Sequence, residues 1–282
     1  MGDQGSRLGQ PSGDEDIDSW APPGIDTTRP HSARVYDYWL GGKTNFAVDR
    51  AMAEAVEQAI PTIATMAREN RQFMGRAVRY LTAEAGLRQF LDIGTGIPSV
   101  GNVHEIAQQI APESRVVYVD NDPIVLAHAR ALMVGGDVGR TAYIHADVRE
   151  PEKILKDPTL TEVLDLNQPV GLIMAALLML VSDADDPWGK ARTLMDALPS
   201  GSYVAISHHG SDFDREAMAA NVAAAAQGGV TLVPRERAEV QRLFGDWELV
   251  EPGVVPVTAW HPDDAPADPE AAYLWAGVAR KP

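Results

Sequence analysis

Between Ala47 and Ile60 the apolar positions fall at Val48, Met52, Val56 and Ile60; between Ile63 and Ala85 they fall at Ile63, Met66, Phe73, Met74, Ala77, Val78 and Leu81. Both sets keep the spacing of one helix face, which predicts two helices broken at Pro61, whose ring cannot continue a helix. After Gly86 the texture changes to short apolar runs alternating with amphipathic stretches. Gln89–Ile93, Arg115–Val119 and Ala142–Ala146 read as strands, with Val103–Ile110 and Ile124–Met133 as the helices between them. The alternation continues through a strand at Val170–Leu177, a helix at Trp188–Leu198, a strand at Ser202–Ser207 and a helix at Phe213–Ala226. Such alternation predicts a mostly parallel sheet covered by helices on both faces. After a helix at Arg235–Phe244 the runs Trp247–Val255 and Tyr273–Ala279 follow with only a Pro- and Asp-rich loop between them, which predicts an antiparallel hairpin at one sheet edge.

Composition sets the limits. Residues 1–30 are rich in Gly, Pro and acidic side chains and poor in large apolar ones, so they read as a disordered acidic tail, followed by a helical cap over 31–85 and the α/β domain over 86–282. The longest apolar run, Val170–Val181, is far shorter than the roughly 20 residues of a membrane helix, and a membrane partner is not expected. With 40 acidic against 24 basic residues the net charge is −16, which disfavours nucleic acid as a partner. The chain has no cysteine, so thiolate chemistry is excluded; together with the lack of a secretory hydrophobic segment this leads us to expect a cytoplasmic protein.

In an open α/β sheet, ligands bind beyond the carboxyl ends of the strands. The first such end reads Leu91-Asp92-Ile93-Gly94-Thr95-Gly96-Ile97-Pro98, where two glycines allow a sharp turn and close approach of a ligand to the backbone. A dinucleotide fingerprint needs a further glycine where this chain has Ser99, which weakens the reading as a nucleotide-dependent oxidoreductase. The second strand ends at Asp120-Asn121-Asp122-Pro123: Asp122 suits a helix cap, which leaves the Asp120 carboxylate free to accept from ribose hydroxyls. The third ends at Asp147-Val148, where a carboxylate can accept from an adenine amino group or simply stabilise a turn. His208 and His209 close the strand from Ser202, and an imidazole there can act as a general base; neighbouring strand residues point to opposite faces, so one of the pair is expected at the site, with His208 favoured.

Together these three loops resemble class I S-adenosylmethionine-dependent methyltransferases. With the stretch Ala33-Arg34-Val35-Tyr36-Asp37-Tyr38-Trp39-Leu40-Gly41-Gly42-Lys43-Thr44-Asn45-Phe46, the chain from about residue 30 onward is similar to an actinobacterial methyltransferase-like family whose substrates are largely unassigned. The resemblance implies a Rossmann-like class I methyltransferase fold with a seven-stranded sheet and S-adenosyl-L-methionine as cofactor. By the same likeness, Gly94, Thr95 and Gly96 hold the methionine part, Asp120 the ribose, and Asp147 with Val148 the adenine. Asp92 and Asn121 belong to the same loops, and Arg34, Tyr36 and Asn45 lie on a segment that folds over the cofactor in similar enzymes. Pro98 stands where many such enzymes have a third glycine. The expected function is methyl transfer to a small or medium-sized acceptor; the alternative from another class is a non-catalytic S-adenosylmethionine-binding sensor. Neither the acceptor nor the oligomeric state is legible in the sequence.

Overall fold

The structure, a computed structural model, describes residues 25–132, 139–264, 268 and 270–282, with the backbone alone at 128–132. Most of the expected acidic tail lies outside these residues. Three helices come first: α1 (Ser32–Trp39), α2 (Ala47–Ala59) and α3 (Ile63–Ala83). The alternating part then runs β1 (Gln89–Ile93), α4 (Val103–Ile110), β2 (Arg115–Asp120), α5 (Pro123–Leu132) and β3 (Arg140–His145). It continues with α6 (Pro151–Lys156), α7 (Pro158–Val163), β4 (Gly171–Ala175), α8 (Pro187–Asp196), β5 (Tyr203–His209), α9 (Arg215–Gln227) and α10 (Arg237–Arg242). The short strands β6 (Glu248–Leu249) and β7 (Val255–Pro256) precede β8 (Leu274–Arg280).

The sheet order is β3-β2-β1-β4-β5-β8-β6, with β7 also paired to β8. The first five strands are mutually parallel, and β8 is antiparallel to β5, β6 and β7. The sheet therefore has eight strands where seven are expected, because the Trp247–Val255 run turns at Gly253 (φ +84°) and splits into two short strands. The expected antiparallel end is present, but β8 lies inside the sheet and β6 takes the edge. Two short helices, α6 and α7, occupy a stretch the apolar pattern leaves unassigned. Each opens with proline at its first turn, and Asp157 caps the second by accepting from Thr159 N–H. The Val170–Leu177 run stops two residues early because Ala176 turns into the left-handed region (φ +51°).

Both faces of the sheet are buried, as parallel pairing requires. Leu91, Val117, Leu172 and Val204 point into a core closed by α6, α7, α8 and α10, while Phe90, Val116, Ile173 and Ala205 point to the other face, covered by α3 and α4. The long helix α3 thus shares its core with the sheet, and α1 and α2 pack outside it, α2 lying against α9. Burial of each large aliphatic side chain stabilises by about 1.5–3 kcal/mol, and dozens of them hold the layers together. No helix among the described residues is long and apolar enough to cross a membrane.

One polar tie joins the ends of the chain. The buried guanidinium of Arg76 on α3 donates from Nε to Trp260 O (2.9 Å) and from Nη2 to Val257 O (2.7 Å), fixing the turn before β8. Arg76→Leu leaves two buried carbonyls without donors and is expected to lower the unfolding free energy by about 2–4 kcal/mol, read as a lower denaturant midpoint at unchanged slope. A shift within error of zero would show that water replaces the guanidinium at no cost.

Candidate functional site

A cavity of about 350 Å³ opens at the carboxyl ends of β1 to β5, below α1 and α2. Gly94 (φ +73°) and Gly96 (φ +66°) shape its floor, both in the left-handed region that side chains other than glycine rarely adopt. Gly94 N–H donates to Val119 O (2.7 Å), and Gly96 N–H to the Asp120 carboxylate (2.8 Å). The other Asp120 oxygen accepts from Asp122 N–H (2.9 Å), so this one side chain ties the glycine turn to the β2 end. Burial raises its pKa above the ordinary carboxylate value, against the two amides that lower it. Asp122 caps α5 through Ile124 N–H (2.9 Å), the duty its place before Pro123 predicts.

Asp92 is buried beneath the turn. Burial pushes its pKa up to about 7, opposed by the nearby Arg71 charge and by a hydrogen bond from the Thr95 side chain. Asp147 is the opposite case: burial works against its charge, but the Arg149 side chain and amide and the Asn121 amide hold its pKa down at about 2. Val148 and Arg149 line the same wall. From the cap, His31 reaches Asp122 (3.0 Å), and the Asp122 charge keeps its pKa above the usual histidine range despite burial.

The structure thus brings Asp92, Gly94, Thr95, Gly96, Asp120, Asn121, Asp147, Val148, Tyr36 and His209 to one cavity. Three expected residues lie elsewhere. Arg34 is buried with its guanidinium on the Asp26 and Arg29 carbonyls and beside Asp49, pinning the segment before α1. Asn45 donates to Asp37 (2.8 Å) and to Gly42 O, closing the turn after α1. His208 is wholly buried: Nδ1 donates to His209 O (2.9 Å) and Nε2 accepts from Arg235 (2.8 Å), so both nitrogens are used inside the fold. The strand alternation holds, but it is His209 that faces the cavity.

Pattern reasoning missed Asn70, Arg71 and Asn221, all on the cavity wall. Asn70 and Asn221 carry a readable signal: each interrupts the apolar stripe of its helix, at the spacing of Met66 and Phe73 on α3 and of Met218 and Ala225 on α9. Asn70 sits in a relay in which Ala176 N–H donates to Ser207 Oγ (2.9 Å), Ser207 donates to Asn70 Oδ1 (2.5 Å), and Asn70 Nδ2 donates to the Tyr36 hydroxyl (2.9 Å). Tyr36 in turn donates to Ala67 O (2.9 Å), so its hydroxyl is engaged in the fold. Arg71 donates to the carbonyls of Val100 and Gly101 on the loop beyond the glycines.

A five-strand parallel core extended by an antiparallel strand, with its ligand cavity at the strand ends, is the architecture of class I methyltransferases. Residues 18–282 match the family model described as S-adenosyl methyltransferase. Two solved structures are similar over nearly the whole chain. One is a DUF574 family protein from Streptomyces avermitilis MA-4680, with 46% identity and a TM-score of 0.89, covering 92% of this chain and 100% of that one. The other is a candidate methyltransferase from Thermobifida fusca YX, with 41% identity and a TM-score of 0.85, covering 93% of this chain and 98% of that one. No curated protein shows significant similarity. The chain belongs to this S-adenosyl methyltransferase family and is an S-adenosylmethionine-dependent methyltransferase.

The pair between His31 and Asp122 makes stability depend on pH in a fixed sense. Asp122, with its pKa lowered, contributes fully above its unfolded value near pH 4 and loses that contribution as pH falls. His31, with its pKa raised, contributes fully below its unfolded value near pH 6.5 and loses it as pH rises through the higher folded value. Thermal unfolding of the wild type relative to His31→Gln should therefore show its largest advantage between about pH 4 and 6.5 and a shrinking one above. A constant difference across that range would remove the pair as the source.

Proposed function

We propose that the polar half of the cavity binds S-adenosylmethionine, and that α1 and α2 cap it. The observation that carries this reading is the Asp120 carboxylate, fixed by amides from two loops, with lone pairs left to accept from both ribose hydroxyls. The surroundings fit the rest of the molecule. A Cβ built on Gly96 meets nothing within 4 Å, so the turn leaves space beside its backbone for the methionine part alongside Gly94 and Thr95. Asp92 pairs with the ammonium and Arg71, the cation beside it, with the carboxylate. Asp147 and Asn121, oriented by each other, receive the adenine amino edge, with Val148 against the ring. Asp147 accepts from the Arg149 amide and guanidinium and from Asn121, so the adenine amino group takes the place of one of these donors.

Bound there, S-adenosylmethionine supplies a methyl group on a positively charged sulfur, which an acceptor lone pair takes in line as the carbon–sulfur electron pair returns to sulfur. The chain's part is to align the acceptor and exclude water, an entropic contribution of about 7–11 kcal/mol in well-oriented systems. His209, at the end of β5, stands where the acceptor's proton has to go. Its pKa is lowered to about 4 by burial, so it is a neutral imidazole at pH 7 and free to accept. The acceptor in this reading is a small molecule, handled by a cysteine-free, acidic protein suited to the cytoplasm.

Calorimetry should show micromolar or tighter binding of S-adenosylhomocysteine. Asp120→Ala removes charge-assisted hydrogen bonds of about 1.5–3 kcal/mol each and should weaken binding at least about tenfold; an unchanged dissociation constant removes Asp120 from the site.

Asp92 supplies a second test. With its pKa at about 7 it is half protonated near neutrality, and an ammonium beside it favours the charged form, so binding should release about half a proton at pH 7. The measured enthalpy should be more exothermic in Tris than in phosphate, and Asp92→Asn should abolish the difference. Equal enthalpies in the two buffers for the wild type would separate Asp92 from the ammonium.

A further inference from the structure

The two halves of the cavity differ in chemistry. The charged side chains on its wall are His31, Arg71, Asp92, Asp120, Asp147 and Arg149, and they come from the β1–β3 ends, the segment before α1, and α3. The opposite half is built from α1, α2, α9 and the stretch Gly229–Leu232, where Val35, Trp39, Met52, Ala225, Val230 and Leu232 form one apolar cluster bordering the space. No acidic side chain, lysine or arginine from those elements lines it among the described residues.

Two polar atoms on cavity-lining side chains are stranded. His209 Nδ1 and Asn221 Nδ2 are buried and have no hydrogen-bond partner, and they are the two such atoms among the described residues whose side chains line the cavity. Asn221 is 2% exposed and His209 7%. A buried polar group without a partner costs about 1–3 kcal/mol, and native proteins keep few of them. Turning the Asn221 amide over does not remove the demand, because it exchanges an unpaired donor for an unpaired acceptor. Both residues line the cavity, so a ligand seated there can pair with both after a small side-chain rotation brings the buried nitrogens to its surface.

Resting on the cofactor reading above, we propose that this half is the methyl-acceptor subsite and that the acceptor is a neutral, largely apolar small molecule bearing a hydroxyl, which donates to His209 while Asn221 pairs with a polar atom of the same molecule. A charged acceptor finds no counter-ion there, and burying an unpaired charge is far costlier than burying an apolar ring. The reaction balances: the hydroxyl oxygen forms the new carbon–oxygen bond, its proton passes to the His209 imidazole and on to solvent, and sulfur keeps the electron pair of the broken bond. The uncharged state of His209 at neutral pH, imposed by burial, suits it to receive that proton.

The test uses the full-length protein at pH 7 with three probes of one shape: 2-naphthol, naphthalene-2-carboxylate and 2-naphthylmethylammonium. Each is titrated calorimetrically with and without saturating S-adenosylhomocysteine. The expected result is that naphthol binds at least about tenfold more tightly than either charged analogue, and that Asn221→Leu weakens naphthol about three- to tenfold while S-adenosylhomocysteine still binds. Equal or tighter binding of a charged analogue overturns the proposal, and so does failure of naphthol to bind, whether or not S-adenosylhomocysteine does. Naphthol binding to a protein that does not bind S-adenosylhomocysteine overturns the cofactor reading alone. Unchanged naphthol affinity in folded Asn221→Leu removes Asn221 from the subsite. The wild-type series decides the acceptor class even where that variant fails to fold.

Discussion

Everything at the site depends on β1 being hydrogen-bonded in parallel on both edges. Its pairing with β2 runs from Gln89 opposite Arg115 to Ile93 opposite Val119, and its pairing with β4 sets Phe90 opposite Gly171. Parallel neighbours end on the same side, so the glycine turn, Asp120 and the strained Ala176 are delivered to one rim without any long-range adjustment. The close approach at Gly171 has a sequence cause: a Cβ there would stand 2.8 Å from the Phe90 ring, so only glycine lets β4 lie against β1 with phenylalanine packed across it. The site inherits its precision from this register.

The acceptor half, by contrast, is held by buried polar ties. The Arg235 guanidinium donates to Leu178 O and Val181 O, pairs with Asp183 and meets His208, clamping the turn after β4 to the end of β5. Its own backbone continues the clamp, with Arg235 N–H on His209 O. On the other flank the relay from Ala176 through Ser207 and Asn70 to Tyr36 joins the β4 end to α3 and α1. Buried polar ties of this kind fix one arrangement of the groups around them. His208 shows the consequence. Two adjacent histidines look equivalent in the sequence, but one is consumed in the clamp and its partner is left facing the cavity.

The legible parts of the chain are those where local pattern and tertiary role agree. Gln89–Ile93 and Val103–Ile110 fall where apolar spacing places them, because an interior parallel strand is apolar throughout and the helix crossing it shows a single apolar stripe. The three strand-end loops are legible for the same reason: a strand end identifies the residues that follow it. Arg34 and Asn45 lie off the cavity because proximity in sequence to Tyr36 does not set where a side chain points. Arg34 was drawn to carbonyls upstream of α1, and Asn45 to Asp37. The strand count is not legible because pairing against β8, absent from local pattern, decides where Trp247–Val255 breaks. Asn221 could have been found, since an asparagine in an apolar stripe demands a partner, but only the fold shows that the partner is missing.

The cavity separates charge along its length. At one end lie three carboxylates: Asp147, held ionised by Arg149 and Asn121, Asp120, whose charge two backbone amides support against a burial that raises its pKa, and Asp92, held back by burial until the ammonium arrives. At the other end His209 is kept neutral by the same burial. Methyl transfer from a sulfonium to a neutral hydroxyl disperses positive charge away from sulfur and moves it toward the acceptor oxygen, so a neutral base beside that oxygen and no fixed cation opposing it is the favourable arrangement. The same low-dielectric wall that weakens His209 as a base in water also strengthens its hydrogen bond to a bound hydroxyl. Burial at this site therefore orients the acceptor and prepares the group that takes its proton.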